Sequence, residues 1–149
     1  MSKSGVCHLL LVEDSASDAS LFMRHLNSSR VVQTSAWVKT GEAALMYLRQ
    51  TGEYTDAPRP DLIVLDLMLP GLSGQDLLAI IKADPILRQI PVLVLTGTLQ
   101  ASEVYRAYSL HANCYVAKPI DPQDYKDALK TIEAFWLNLA VLPPQQASI

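Results

Sequence analysis

The chain has two cysteines in 149 residues, no run of lysines and arginines, and no apolar run near the roughly 18 residues that a membrane span needs. Each scarcity removes a class of function. Cys7 and Cys114 fall in separate predicted strands, with neither a CxxC partner nor an activating base. They are expected to be free, buried thiols without redox chemistry. A formal net charge of −3 with no clustered cations leaves nothing to displace counterions from a nucleic acid, so no nucleic-acid partner is expected. Met1-Ser2-Lys3-Ser4-Gly5 leads into the first strand without the apolar segment and small-residue cleavage site of an export signal. A cytoplasmic location away from membranes is expected. No internal repeat or low-complexity segment stands out.

What the chain does have is apolar content, at 50% of its residues. That predicts one domain over 1–149, with a core of about 6–142 that needs no disulfide or structural metal, and a loose tail over 143–149. Strands are predicted at Val6–Val12, Val32–Val38, Leu62–Leu65, Val92–Leu95 and Asn113–Ala117. Helices are predicted at Ser17–Asn27, Gly41–Gln50, Gly74–Ala83, Ser102–His111 and Pro122–Ala140, with Thr51–Pro60 as an exposed loop. Continuous apolar strands alternating with helices imply an α/β doubly wound parallel sheet covered on both faces.

Four of those strands run into polar residues suited to phosphoryl chemistry: Glu13-Asp14, Asp66, Thr96 and Lys118. Parallel strands bring their ends to one edge, the carboxyl edge, where open α/β sheets bind ligands. Asp66 is the candidate nucleophile because it ends the most apolar strand and precedes a turn-rich connection. Three carboxylates side by side repel one another, and Mg²⁺ resolves the repulsion while accepting one or two carboxylates plus water or phosphate oxygens. Taken singly, each residue has an ordinary explanation. Asp14-Ser15 or Ser17 suits a helix cap, Thr96 a strand, and Lys118 a solvated surface. Their shared placement at strand ends favours the joint site.

Glu13-Asp14, Asp66 with Met68-Leu69-Pro70 and Gly74, Thr96-Gly97, and Tyr115-Val116-Ala117-Lys118-Pro119 together resemble the signature of response-regulator receiver domains. The resemblance spans nearly the whole chain. It implies a flavodoxin-like (βα)5 fold with strand order 2-1-3-4-5, and Asp66 as phosphoacceptor. It implies Mg²⁺ held by Asp14, Asp66 and the Met68 backbone carbonyl, with Glu13 acting through water. Thr96 would bind a phosphoryl oxygen and draw inward on activation, Tyr115 would change exposure with it, and Lys118 would pair with the acidic site. The bond before Pro119 is expected to be cis.

Tyr108-Ser109-Leu110-His111-Ala112-Asn113-Cys114-Tyr115, with Ile132-Glu133-Ala134-Phe135-Trp136-Leu137 and Leu142-Pro143, looks like the small receivers that partner cyanobacterial phytochrome kinases. That implies a phytochrome-type sensor histidine kinase as the partner. Met68 departs from the subgroup, where many relatives carry Asn. No enzymatic turnover is expected beyond self-phosphorylation and self-dephosphorylation.

Two other classes compete. A metal-dependent phosphatase with an aspartyl nucleophile needs a second carboxylate two residues on, where Met68 stands. A flavin-binding flavodoxin-like carrier needs a Ser-, Thr- or Gly-rich phosphate loop where Glu13-Asp14 stand. The final helix adds an expectation of assembly. Tyr125, Ala128, Leu129, Ile132, Trp136 and Leu139 form a stripe facing the sheet. Phe135, Leu137, Ala140, Val141 and Leu142 leave further apolar surface. A homodimer through the fourth helix, fifth strand and last helix, joined by Tyr105 and Tyr108, would cover it.

Overall fold

The computed structural model describes residues 7–28 and 33–144. Five parallel strands, β1 (Cys7–Val12), β2 (Gln33–Val38), β3 (Leu62–Leu65), β4 (Val92–Thr96) and β5 (Cys114–Ala117), form one sheet in the order β2-β1-β3-β4-β5. Helices α1 (Ala16–Asn27), α2 (Gly41–Arg49), α3 (Gly74–Ala83), α4 (Ala101–Ser109) and α5 (Pro122–Ile132) alternate with the strands. The flavodoxin-like α/β fold implied by the resemblance is the fold of this chain.

Side-chain alternation along each strand divides the core in two. Leu9 and Leu11 turn to one face and meet Ala19, Phe22 and Leu26 of α1 and Leu129 of α5. Leu10 and Val12 turn to the other and meet Ala44 of α2 with Leu77 and Ile81 of α3. Strands β3 and β4 are buried at every residue, which explains their unbroken apolar sequence. Side chains of Ser15, Thr40, Ser73 and Asp121 accept backbone N–H groups at the starts of α1, α2, α3 and α5.

Several expectations need correction. Cys7 and Cys114 form no disulfide but are only half-buried, because each sits in the first position of its strand, at the rim of the sheet. The peptide bond before Pro119 is trans, since no cis bond occurs among the described residues; trans is the lower-energy isomer of an X–Pro bond by ~0.5–1 kcal/mol. Val6 and Val32, placed in strands from the sequence, lie outside the described residues, as do 145–149 of the expected tail.

The largest departure is in the last helix. It is α-helical only to Ile132 and continues as a π-helix over Glu133–Leu139. The π turn, bonded i→i+5, is wider than an α turn and shifts which side chains face inward, so that Leu137 is the buried residue of the segment. Leu137 is buried and Leu139 exposed, the reverse of what an α-helical stripe predicts.

Candidate functional site

Pairing of Val12 with Leu65 puts the residues after β1 and β3 side by side, and Asp66 N–H donates to Val12 O at 3.0 Å. Behind Asp66 the chain turns so tightly that a Cβ on Gly74 would fall 2.3 Å from the Leu67 Cα and 2.6 Å from the Asp66 carbonyl. Glycine at that position lets α3 start directly against the strand end. Asp66, 5% exposed, is thereby held buried at the carboxyl edge.

Each Asp66 oxygen is engaged. Oδ1 accepts from Thr96 Oγ1 at 2.8 Å and from Met68 N–H at 3.0 Å, and Oδ2 accepts from Lys118 Nζ at 3.1 Å. The same ammonium donates to Glu13 Oε1 at 2.8 Å and Asp18 Oδ2 at 2.9 Å, while Glu13 Oε2 accepts from Ser15 N–H at 3.1 Å. Oxygens of Glu13, Asp14 and Asp66 all lie within 4.8 Å of one another.

Burial and crowding separate the two inner carboxyls. Glu13 is pushed up to about 7, by burial first and by Asp66 next to it, against the pull of Lys118. Burial acts the same way on Asp66. It is outweighed by the Met68 amide, the hydrogen bond with Glu13, the Lys118 charge and the Thr96 hydroxyl, and Asp66 ends below the usual carboxylate range. Burial alone would lower Lys118, but Glu13, Asp18 and Asp66 hold it firmly protonated. Asp66 is therefore an ionised carboxylate in a confined site, the state a nucleophile needs.

The Lys118 ammonium bridges Glu13, Asp18 and Asp66, and a fourth carboxyl, Asp14, lies beside Glu13 and Asp66. The excess negative charge and the all-oxygen donor set fit a hard divalent cation, with exposed Asp14 open on the solvent side. Met68 contributes an N–H to Asp66, and its own side chain projects into solvent.

Glu13, Asp14, Asp66, Thr96 and Lys118, singled out from the sequence, thus meet at one edge. Thr96 is fully buried, with its hydroxyl donating to Asp66 Oδ1 at 2.8 Å. Tyr115 is half-buried, its hydroxyl donating to Thr98 O at 2.7 Å and its N–H to Tyr108 Oη at 3.1 Å. Asp18 was missed. Within the sequence it is an ordinary acidic residue in the first turn of α1, and only the fold brings Lys118 to it.

A buried, ionised aspartate at the end of the third strand of a 2-1-3-4-5 sheet defines a class of signalling domain. Residues 9–130 match the response regulator receiver domain family, and the chain belongs to it. It is a receiver of the two-component type, and receivers hold a divalent metal in this acidic pocket. Response regulator Rcp1 of Synechocystis sp. is 42% identical, with 91% of this chain and 92% of Rcp1 aligned. The crystal structure of the Mn²⁺-bound form of Rcp1 superposes with a TM-score of 0.90 at 41% identity, covering 93% of this chain and 99% of that one. The phosphorylated cyanobacterial phytochrome response regulator RcpA superposes with a TM-score of 0.91 at 42% identity, covering 94% and 100%.

Proposed function

We propose that the chain, one receiver domain over 1–149, is a cytoplasmic phosphoacceptor that takes a phosphoryl group from a phytochrome-type sensor histidine kinase onto Asp66 with Mg²⁺. The observation that carries this reading is the pair of differently solvated Asp66 oxygens, Oδ1 fixed by Thr96 and Met68 and Oδ2 by Lys118. A carboxylate oxygen of Asp66 forms the new O–P bond in line as the N–P bond of the phosphohistidine breaks, and the imidazole nitrogen keeps the electron pair. Glu13, Asp14, Asp66 and the Met68 carbonyl would hold the cation, which when bound neutralises phosphoryl oxygens. Lys118 can shift its ammonium from Asp66 Oδ2 to a phosphoryl oxygen while keeping Glu13 and Asp18. Thr96 already points its hydroxyl at the acceptor, so the group it must reorient toward is the phosphoryl oxygen that replaces Oδ1 as the strongest acceptor.

Kinase choice is supported by likeness to a phytochrome response regulator over nearly the full length of both chains. No helix among the described residues is long and apolar enough to cross a membrane. The phosphatase reading has no observation in its favour, because the Met68 thioether offers no proton at the acid–base position. The flavin reading meets negative charge at Glu13 and Asp14 where a phosphate would sit.

Assembly belongs to the same proposal. Tyr105, Tyr108, Phe135, Leu139 and Val141 are exposed around α4 and the π-helix, and the chain dimerises over them. Leu137, assigned to that surface from sequence, is core and takes no part.

Incubating the protein with Mg²⁺ and a small acyl phosphate should add one phosphoryl mass, stable in acid and labile in base. Asp66→Asn should fold and gain none; an equal adduct on that variant refutes the assignment. Sedimentation at micromolar concentration should show a dimer that Phe135→Asp weakens, and a monomer in both proteins refutes the assembly.

A further inference from the structure

Glu13 is the last residue that β1 offers to β2. Its N–H donates to Val38 O at 3.1 Å, continuing the parallel ladder. In a parallel strand the N–H and C=O of one residue point the same way, so the Glu13 carbonyl also faces β2. A longer β2 would present the N–H of Thr40 to it. The chain instead turns there, because Thr40 is the N-cap of α2 and its hydroxyl accepts from Ala43 N–H at 3.0 Å. A carbonyl at the buried root of the acidic site would lose its partner. The indole of Trp37 supplies it, with Nε1–H donating to Glu13 O at 2.7 Å.

That bond fixes a direction. In a trans peptide the carbonyl of Glu13 and the N–H of Asp14 point opposite ways. With the carbonyl tied to β2, the Asp14 end of the plane faces away from β2, on the side of β3 and Asp66. Glu13 itself is fixed through its carboxylate by Lys118 and Ser15. Asp14 is exposed and depends on the peptide plane for its aim. Trp37 is held in turn, half-buried against the α1 side of the core with the Lys39 ammonium 5.2 Å from its ring centroid. A cation over the ring draws electron density from the indole and strengthens the N–H as a donor.

We infer that Trp37 is a positioning residue for the divalent-metal site, aiming Asp14 by clamping the Glu13–Asp14 peptide plane from β2. The inference rests on the receiver reading of the acidic pocket. It extends that reading to a strand that contributes no ligand. Outer-shell partners of this kind change metal affinity by roughly 10–100-fold when lost, and a neutral donor acting through one peptide belongs at the lower end.

The test is Mg²⁺ binding by calorimetry to the full chain and to Trp37→Phe, which keeps an aromatic ring and removes the N–H. The expected result is a roughly tenfold weaker Kd. Equal Kd values overturn the inference, whatever happens to thermal stability. A parent that does not bind Mg²⁺ at all refutes the metal site and not the clamp alone. A second measurement needs no variant. With ¹⁵N label on both tryptophans, the Trp37 indole resonance should be slow to exchange and should shift on Mg²⁺ addition, while Trp136 stays fixed. A Trp37 resonance indifferent to Mg²⁺ overturns the inference even if Trp37→Phe fails to fold.

Discussion

The two ends of the sheet bury polar groups to opposite effect. At the amino end His8, in β1, is enclosed by neutral partners: Nδ1 shares a hydrogen bond of 2.7 Å with Thr34 Oγ1, and Nε2 one of 2.5 Å with Tyr47 Oη. Asp61 Oδ2 accepts the backbone N–H of His8 at 2.8 Å. Nearby, Lys82 Nζ donates to the carbonyls of Arg88 and Ile90 and to Asn113 Oδ1, which also accepts from Val92 N–H. Charge there is sparse and satisfied by oxygens already in place. At the carboxyl end, Glu13, Asp18 and Asp66 crowd about the ammonium of Lys118, with Asp14 beside Glu13 and Asp66. One end is complete as folded; the other is completed by what binds to it. A sheet with a locked amino edge can tolerate electrostatic frustration at its carboxyl edge, and a site that gains or loses charge needs such a support.

Removing the Lys118 ammonium should break the comparison most. Lys118→Met leaves Glu13 and Asp66 buried with no counter-charge, and losing one partner of a buried ion pair costs about 3–5 kcal/mol. Urea unfolding of the metal-free variant should show a loss of that order. Mg²⁺ should then restore part of the stability, because a ligand present at 100 times its Kd contributes about 2.7 kcal/mol to any fold that binds it. Lys82→Met, at the complete end, should lose clearly less. Equal losses in the two variants would mean that the carboxyl edge is not under electrostatic strain.

The metal ligands give the next effect. Asp14→Ala should weaken Mg²⁺ binding more than Glu13→Gln, because Asp14 has solvent-side freedom to enter the coordination sphere while Glu13 is already spent on Lys118 and Ser15. A calorimetric titration in which Asp14→Ala keeps the parent Kd would contradict the assignment.

The carboxyl edge was legible in the sequence for a physical reason. Buried parallel strands have unbroken apolar sequence and end where the first polar residue appears, so Asp66, Thr96 and Lys118 announce themselves. The 2-1-3-4-5 order came from family likeness rather than from periodicity, since five βα units are compatible with other doubly wound orders. Asp18 and Trp37 were not legible as site residues. Asp18 looks like an acidic residue in a first helical turn, and Trp37 looks like a strand aromatic. Their roles depend on Lys118, 100 residues away, and on the end of β2. Leu137 and Leu139 were misplaced because a 3.6-residue period was carried through a segment whose wider turns are bonded i→i+5.

At the amino end, Tyr47→Phe removes the hydroxyl between α2 and His8 while keeping the ring that lies stacked on the imidazole. Leaving a buried ring nitrogen unpartnered should cost about 1–3 kcal/mol. The loss should be the same with and without Mg²⁺, measured by urea unfolding. A Mg²⁺-dependent loss would show that the two ends of the sheet communicate.

The smallest expected effect is also the one that opposes the two ends directly. Burial raises Glu13 from 4.5 to about 7 in the folded, metal-free protein. Between those values the native state binds more protons than the unfolded chain. Its contribution to stability is present at acid pH and is lost as pH rises through about 7. His8 runs the other way. Burial lowers it from 6.5 against the opposing pull of Asp61. The unfolded chain takes up the proton first, so the stability contributed by neutral His8 is present above 6.5 and lost as pH falls through its lower folded value. The parent should therefore show a shallow dependence of unfolding free energy on pH between about 5 and 7, the sum of two slopes of opposite sign. Glu13→Gln removes the carboxyl slope and should leave stability rising with pH across that interval. Urea unfolding of the metal-free proteins at several pH values is the measurement. A Glu13→Gln profile parallel to the parent's would mean that Glu13 does not titrate there and that the strain at the carboxyl edge is carried by another residue.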